Sequence, residues 1–346
     1  MAETLVYPNH PIIKGVWAKA RDAQKAIVLP ETEDDRTYFA AEWAVKEGLA
    51  KRIVLVGPEG ELKAKAKSLG ADISGCEIED PTVSANIDKK VARFVEIRKG
   101  KISEEDARKL LTSNYLYYGC IMVKDGEVDG QVAGASHTSA DVIRSSYQIV
   151  KTAPGITTAS SYMIMLLPEH KKEYGEDGLL IFADCGANQE PDASQLADIA
   201  ITSCLTAKNI LGIEARCAML SHSTKGSASH AMIDKVLEAA KIANEKRPDL
   251  LIDAEYQADA ALVPSVGQKK APGSAVAGKA NILVFSNLDA GNIAYKLVER
   301  LADAEAYGPL MQGLDKPCMD LSRGCKASDI ANVIAICAVK ALHPYG

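Results

Sequence analysis

The sequence has no C-x-x-C pair, no basic segment opening onto an apolar run at its start, and no apolar run of the ~18 residues needed to span a bilayer; Tyr162–Pro168 is far too short. Positive charge is also scarce. The formal net charge is −6, which argues against nucleic acid or an anionic membrane surface as a partner and leaves an anionic ligand to be met by locally placed arginines. Internal repeats and low-complexity tracts are missing as well. No loop follows the G-x-x-x-x-G-K-[ST] order, and Gly134-Ala135 does not open a G-x-G-x-x-G, so neither common nucleotide-binding turn is present. The 8 cysteines sit mostly inside apolar runs, as in Ile334-Ala335-Ile336-Cys337-Ala338-Val339, and are expected to be reduced thiols of a cytoplasmic protein.

What remains is an ordinary globular composition, 47% hydrophobic and 25% charged, in a chain of 346 residues, more than one core usually serves. Strand and helix patterns alternate. Ala26-Ile27-Val28-Leu29-Pro30 is a short buried-strand run, Asp34 to Leu49 a helix, and Arg52 to Gly57 the next strand. This βαβα order predicts an α/β protein with parallel sheets and crossover helices. Glu104 to Asp125 reads as a helical pair. A second series begins near residue 160, with strands at 179–184, 216–220, 250–253 and 281–285 and helices at 194–211, 227–246 and 291–302. The last helix, from about Ser328 to Leu342, is apolar on most faces and expected to be buried. Residues 264–279, with three glycines and three lysines, form the best candidate for a mobile segment.

The chemistry concentrates near the chain's end. Asp320-Leu321-Ser322-Arg323-Gly324-Cys325, followed by Ser328-Asp329 at a helix start, places a hydroxyl, a guanidinium and a carboxylate close together across a glycine turn, with no metal-ligand cluster nearby. A hydroxyl and an arginine can steady the oxyanion and the leaving phosphate when a thiol attacks an acyl phosphate. Asp329 can take the thiol proton, because the thiolate is the nucleophile. Equally, Asp329 or Ser328 can cap the last helix, and a helix start weakens a carboxylate as a base. Upstream, Thr138 or Ser139 can cap a helix whose first amides point at an anion, with Arg144 one turn further in; a capped helix with a solvated arginine fits the composition as well. Ser221-His222-Ser223-Thr224-Lys225-Gly226-Ser227 joins strand to helix like a phosphate cradle. The 288–296 turn, with Asn292, serves either as ligand contact or as a capping loop. Arg98 alone reads as a surface charge.

On VDGQVAGASHTSADVIR, IFADCGANQEP, SHSTKGSA, NLDAGNIAYK and DLSRGC, five ordered motifs, the chain resembles the short-form phosphate acetyltransferases of the phosphate acetyl/butyryltransferase family over nearly its whole length. The resemblance implies a two-domain α/β architecture of the isocitrate/isopropylmalate dehydrogenase-like type with an interdomain cleft. Residues 1–155 plus 305–346 would form one domain and 156–304 the other, usually in a homodimer. It implies reversible transfer of an acetyl group between acetyl-CoA and phosphate, by direct thiolate attack, with coenzyme A as a substrate and no cofactor or metal. By position Asp329 would be the base, and Ser322 and Arg323 would steady the carbonyl oxygen and the phosphate. Arg144, Arg300 and, less securely, Arg98 match family arginines linked to substrate binding. With Thr138, Ser139, Thr224, Lys225 and Asn292 they make up the expected binding set. The motifs read the thiol and phosphate ends and not the acyl tail, so a longer acyl group, as in phosphate butyryltransferases, is the nearest rival. A non-catalytic acetyl-CoA-binding domain is a second, and a metal- and nucleotide-dependent dehydrogenase of the same fold a third.

Overall fold

A computed structural model describes residues 4–343. The chain divides into two compact units, one made of residues up to Ala153 and from Leu314 onward, the other of Pro154–Gly313.

The first unit is built on a five-stranded sheet, β1 (Ala26–Leu29), β2 (Arg52–Val56), β3 (Glu77–Glu79), β4 (Gly130–Val132) and β11 (Cys318–Met319), in the order β11-β4-β1-β2-β3, with every pairing parallel. β1 is buried along its whole length, as its unbroken Ala-Ile-Val-Leu run requires of a parallel strand covered on both faces. The Asp35–Lys46 helix follows β1, with the Asp34 side chain capping it by accepting the Arg36 amide. The predicted helical pair is Glu104–Ser113 and Tyr115–Asp125, split at Asn114, whose side chain caps the second helix. The closing helix, Ala327–Lys340, is buried on nearly all faces, and its Asn332 accepts a hydrogen bond from Trp17 Nε1 at 2.8 Å.

The second unit has a six-stranded mixed sheet. β6 (Leu179–Ala183), β9 (Ile282–Val284), β7 (Arg216–Leu220) and β8 (Leu251–Tyr256) run parallel, and β5 (Ser160–Leu166) and β10 (Glu305–Gln312) add antiparallel strands, in the order β10-β5-β6-β9-β7-β8. The sequence analysis assigns Glu305 onward to the first domain. In the structure β10 pairs with β5, and the chain re-enters the first unit at Leu314.

Much of the 264–279 segment is exposed, but Gly267 and Gly278 pack it closely against backbone. Pro264 starts a helix (Pro264–Lys270), and a Cβ on Gly267 would come within 2.6 Å of the Gly278 amide. Gly278 adopts φ +69° and donates its amide to Ala260 at 2.8 Å. Its glycines permit close backbone approach, which composition alone reads as looseness.

Candidate active site

Parallel strands deliver their ligand-facing loops at their carboxyl ends. In the first unit three such loops follow adjacent strands: Pro30–Asp34 after β1, Ala133–Thr138 after β4 and Asp320–Cys325 after β11. Arg36 ties them together. Its Nη1 donates to the carbonyls of Arg323 (2.9 Å) and Cys325 (2.6 Å), its Nη2 to the carbonyl of Ala135 (2.8 Å), and Nε and Nη2 grip the two carboxylate oxygens of Asp34 at 2.9 and 2.6 Å. A guanidinium suits this place because its donors leave in fixed directions, one set for each loop. Burial opposes ionisation of Asp34, but the Arg36 hydrogen bonds outweigh it and hold the carboxyl below its usual range.

Glu31 anchors the middle loop. It is 2% exposed and accepts the amides of Ala135 (2.7 Å), Ser136 (3.2 Å) and His137 (2.9 Å), with His137 Nδ1 a further 2.9 Å contact. Burial raises its proton affinity, yet His137 and the amides prevail and the group is held low. His137 is pushed up, chiefly by its bond to Glu31. The Ala135, Ser136 and His137 amides are therefore filled by the protein's own carboxylate, ahead of the helix that Thr138 caps. Among the described residues, Glu31, Glu33 and His137 also form one group with ligand atoms within 4.8 Å of one another, close enough for a cation; the sequence analysis did not single it out. With the Glu31 oxygens already taken by three amides, the group belongs to the loop clamp.

On this frame stand the expected catalytic residues. Ser322 and Arg323 are exposed; Ser322 Oγ accepts the Gly324 amide at 3.3 Å, and the Arg323 guanidinium makes no ion pair among the described residues. Asp329 is in the first turn of the Ala327–Lys340 helix, where Oδ2 accepts the Lys326 amide at 2.7 Å, so it does cap its own helix. Cys325, between them, is half-buried. Burial, reinforced by Asp329, Asp34 and Glu31 against the pull of Arg36, pushes its thiol up to about 12, so it stays protonated and inert.

Thr138 caps the Ser139–Ile149 helix, accepting the Asp141 amide at 3.3 Å and donating to Asp141 Oδ2 at 2.7 Å. Ser139 is half-buried in the first turn. Arg144 is on the surface, 3.2 Å from Asp141 Oδ1, with its side chain 58% exposed. Arg98 follows the Ile87–Ile97 helix and has no ion pair among the described residues; it and Arg144 both act on the buried Tyr117 phenol, whose proton burial otherwise tightens. Arg98 and Arg144 thus share one neighbourhood, which their separation in sequence conceals.

The second unit holds the rest. Ser223 Oγ donates to Glu255 at 2.6 Å and the Gly226 amide donates to the same oxygen at 2.9 Å, so the Ser221–Ser227 cradle too encloses an internal carboxylate. Thr224 is buried and accepts the Gln257 amide at 2.9 Å. Lys225 donates to Asp253 at 2.7 Å and to the Ala254 carbonyl, and stands 4.6 Å over the Tyr256 ring. Asn292, in the Leu288–Leu301 helix, donates to the Cys185 carbonyl at 2.9 Å and accepts from Lys296. Arg300 ends that helix with its side chain 80% exposed, 3.5 Å from Glu299. A third internal carboxylate, Asp184, accepts the amides of Gly186, Ala187 and Asn188 at 3.0, 3.0 and 2.9 Å and the Ser161 hydroxyl at 2.5 Å.

Arg36 and Glu31 carry much of this organisation and were missed from sequence. The available signal was position: each stands at, or just beyond, the carboxyl end of a buried strand.

Residues 11–338 match the profile of the phosphate acetyl/butaryl transferase family. A phosphate acetyltransferase of Thermoanaerobacterium thermosaccharolyticum is 51% identical over 331 residues, covering 95% of this chain and 99% of the relative. The phosphate acetyltransferase of Bacillus subtilis is 47% identical over 94% of this chain and 98% of its own. Among solved structures, a phosphotransacetylase from Streptococcus pyogenes superposes with a TM-score of 0.91 at 41% identity, covering 97% of this chain and 99% of that one. With nearly every residue matched in sequence, and the fold matched with it, the chain belongs to the phosphate acetyl/butaryl transferase family.

Proposed function

We propose that the protein is an acyltransferase that interconverts acetyl-CoA and inorganic phosphate with acetyl phosphate and coenzyme A. Its likeness to the two phosphate acetyltransferases above, at full length on both sides, supports the reading. The structural observation that carries it is the pair Ser322 and Arg323: an exposed hydroxyl and a guanidinium without an ion pair among the described residues, on a loop that Arg36 clamps.

Toward acetyl-CoA, the coenzyme A thiol gives its proton to the Asp329 carboxylate, and the sulfur attacks the carbonyl carbon of acetyl phosphate. The S–C bond forms, negative charge gathers on the carbonyl oxygen, and the C–O bond to phosphate breaks with its electron pair leaving on phosphate. Ser322 and Arg323 donate to the charged oxygen and the departing phosphate. Arg98, Arg144 and Arg300, all accessible cations, are assigned to the anionic groups of the substrates, as are Thr138 and Ser139 at the start of the helix that carries Arg144. Thr224, Lys225 and Asn292 hold backbone and side chains around the second unit's loops. Coenzyme A is a substrate and the scheme uses no resident cofactor or metal, so activity should survive exhaustive chelation.

The eight free cysteines suit a reducing, cytoplasmic setting. Ile293, Leu297 and Leu301, 56%, 51% and 79% exposed, form an apolar stripe along the Leu288–Leu301 helix, which fits a homodimer contact. Light scattering on the parent and on L297E checks this; a monomeric parent ends it. The functional test is a thioester-forming assay with coenzyme A and acetyl, propionyl or butyryl phosphate. Acetyl should be preferred, and D329N should lose most turnover near neutral pH and recover part of it as pH rises and free thiolate accumulates. No thioester with any acyl phosphate would refute the reading.

A further inference from the structure

Asp320 closes β11 and begins the loop that carries Ser322 and Arg323, yet the chemistry proposed above makes no use of it. Its side chain is buried at 1% exposure, and neither carboxyl oxygen has a hydrogen-bond partner among the described residues. Glu31, buried on the neighbouring loop, is the opposite case, with three amides and an imidazole around it. Asp320 presses directly on Gly134: a Cβ there would come within 2.3 Å of Oδ1 and 2.4 Å of the Leu321 amide nitrogen, and Gly134 has φ +107°. The β4 and β11 loops are packed as closely as backbone allows, with this carboxyl at the seam.

Three groups act on it. The Ser139 hydroxyl, in the first turn of the Ser139–Ile149 helix, and the Leu321 amide favour its charge; the Glu31 carboxylate, itself bound by His137, opposes it. Burial is the largest influence, and the carboxyl is pushed up to about 7. A buried carboxylate without partners is costly, whereas a neutral acid is tolerated.

We propose that Asp320 is a positioning residue that keeps Ser322 and Arg323 in register with the Ser139–Ile149 helix only while its carboxyl group is uncharged. Loss of the proton leaves a buried charge near Glu31, favoured by the Ser139 hydroxyl and the Leu321 amide alone. It is relieved when the Asp320–Arg323 loop lifts away from Gly134, which carries the hydroxyl and guanidinium out of place. The inference rests on the acyl-transfer reading above for its consequence, but its protonation step can be measured without turnover.

The test compares the full-length parent with D320N, a neutral side chain of the same shape. Turnover of the two should agree within about threefold near pH 6, and the ratio of variant to parent should rise by about tenfold toward pH 9 as the parent's loop is lost. A ratio that stays flat, or a folded D320N inactive across the range, overturns the proposal. Infrared difference spectra supply the independent arm: a protonated-carboxyl band should be present in the parent at acidic pH, vanish at alkaline pH, and be missing from D320N. Absence of that band in an otherwise active parent sinks the inference alone; its presence in a parent that forms no thioester sinks the functional reading instead. Should D320N fail to fold, S139A replaces it, since removing a hydroxyl that favours the charge must move the band's disappearance to higher pH. A shift to lower pH, or none, refutes the assignment.

Discussion

The β4 loop in the first unit and the Ser221–Ser227 loop in the other share one kind of sequence: small and polar, with a glycine, leading into a helix. Both fold around an internal carboxylate, Glu31 in one and Glu255 in the other. They differ in what stands beside the filled cradle. In the second unit Lys225 is spent on Asp253 and the Ala254 carbonyl, so the loop has no spare cation. In the first, Arg36 takes up the internal acceptors, and Arg323 on the adjoining loop is left without an ion pair among the described residues. A ring of amides shows where a loop is held, whereas an unspent cation on a held loop shows where a ligand is met.

Four substitutions would break or sharpen that contrast. The largest effect is expected from Asp184→Ala. It strips a buried carboxylate from at least three amides and a hydroxyl, and should cost about 3 kcal/mol or more of stability in denaturant unfolding. Next, Arg323→Ala should lower kcat by ~10²-fold or more with little change in melting temperature. If Arg323→Ala instead melts the protein and spares turnover, the cation is structural and the contrast collapses.

The Glu31–His137 contact should depend on pH in both directions. Glu31 is held below its ordinary 4.5, so its contribution is complete above that value and is lost as pH falls through the folded-state value beneath it. His137 is held above its ordinary 6.5, so its contribution is complete below that value and is lost as pH rises through the higher folded-state value. The gap in melting temperature between parent and His137→Ala should therefore be widest from about pH 4.5 to 6.5 and narrow on both sides; a gap that keeps widening above that window would contradict the geometry. The smallest effect is assigned to Lys225→Ala, expected within about threefold of parent turnover because its partners are internal. A loss comparable to that of Arg323→Ala would show that the second cradle also meets substrate.

Much of this was legible in sequence. The continuous apolar runs at 26–29 and 217–220 mark their strands directly, because a strand covered on both faces must be apolar throughout. Ser322, Arg323 and Asp329 stand out in the sequence because three chemically distinct groups fall together around a glycine. The antiparallel pair β5 and β10 was hidden, since its partners are separated by over a hundred residues and no local pattern records pairing. Arg36 reads as any helix-start arginine, because its acceptors are carbonyls about 100 and nearly 290 residues away. Asp320 stood within the most conspicuous motif and was still passed over. It lies against Gly134, on a loop that only the β4–β11 pairing places next to its own.

Among the described residues, the first unit is assembled from two separated stretches, whereas the second is one uninterrupted stretch. During synthesis the second can close as soon as Gly313 has emerged, while the first waits with an incomplete sheet for its edge strand β11 and its most deeply buried helix. The loop bearing Ser322 and Arg323 is therefore among the last pieces delivered, and a nascent chain that stalls anywhere before it is both unfinished as a domain and without the chemistry assigned here.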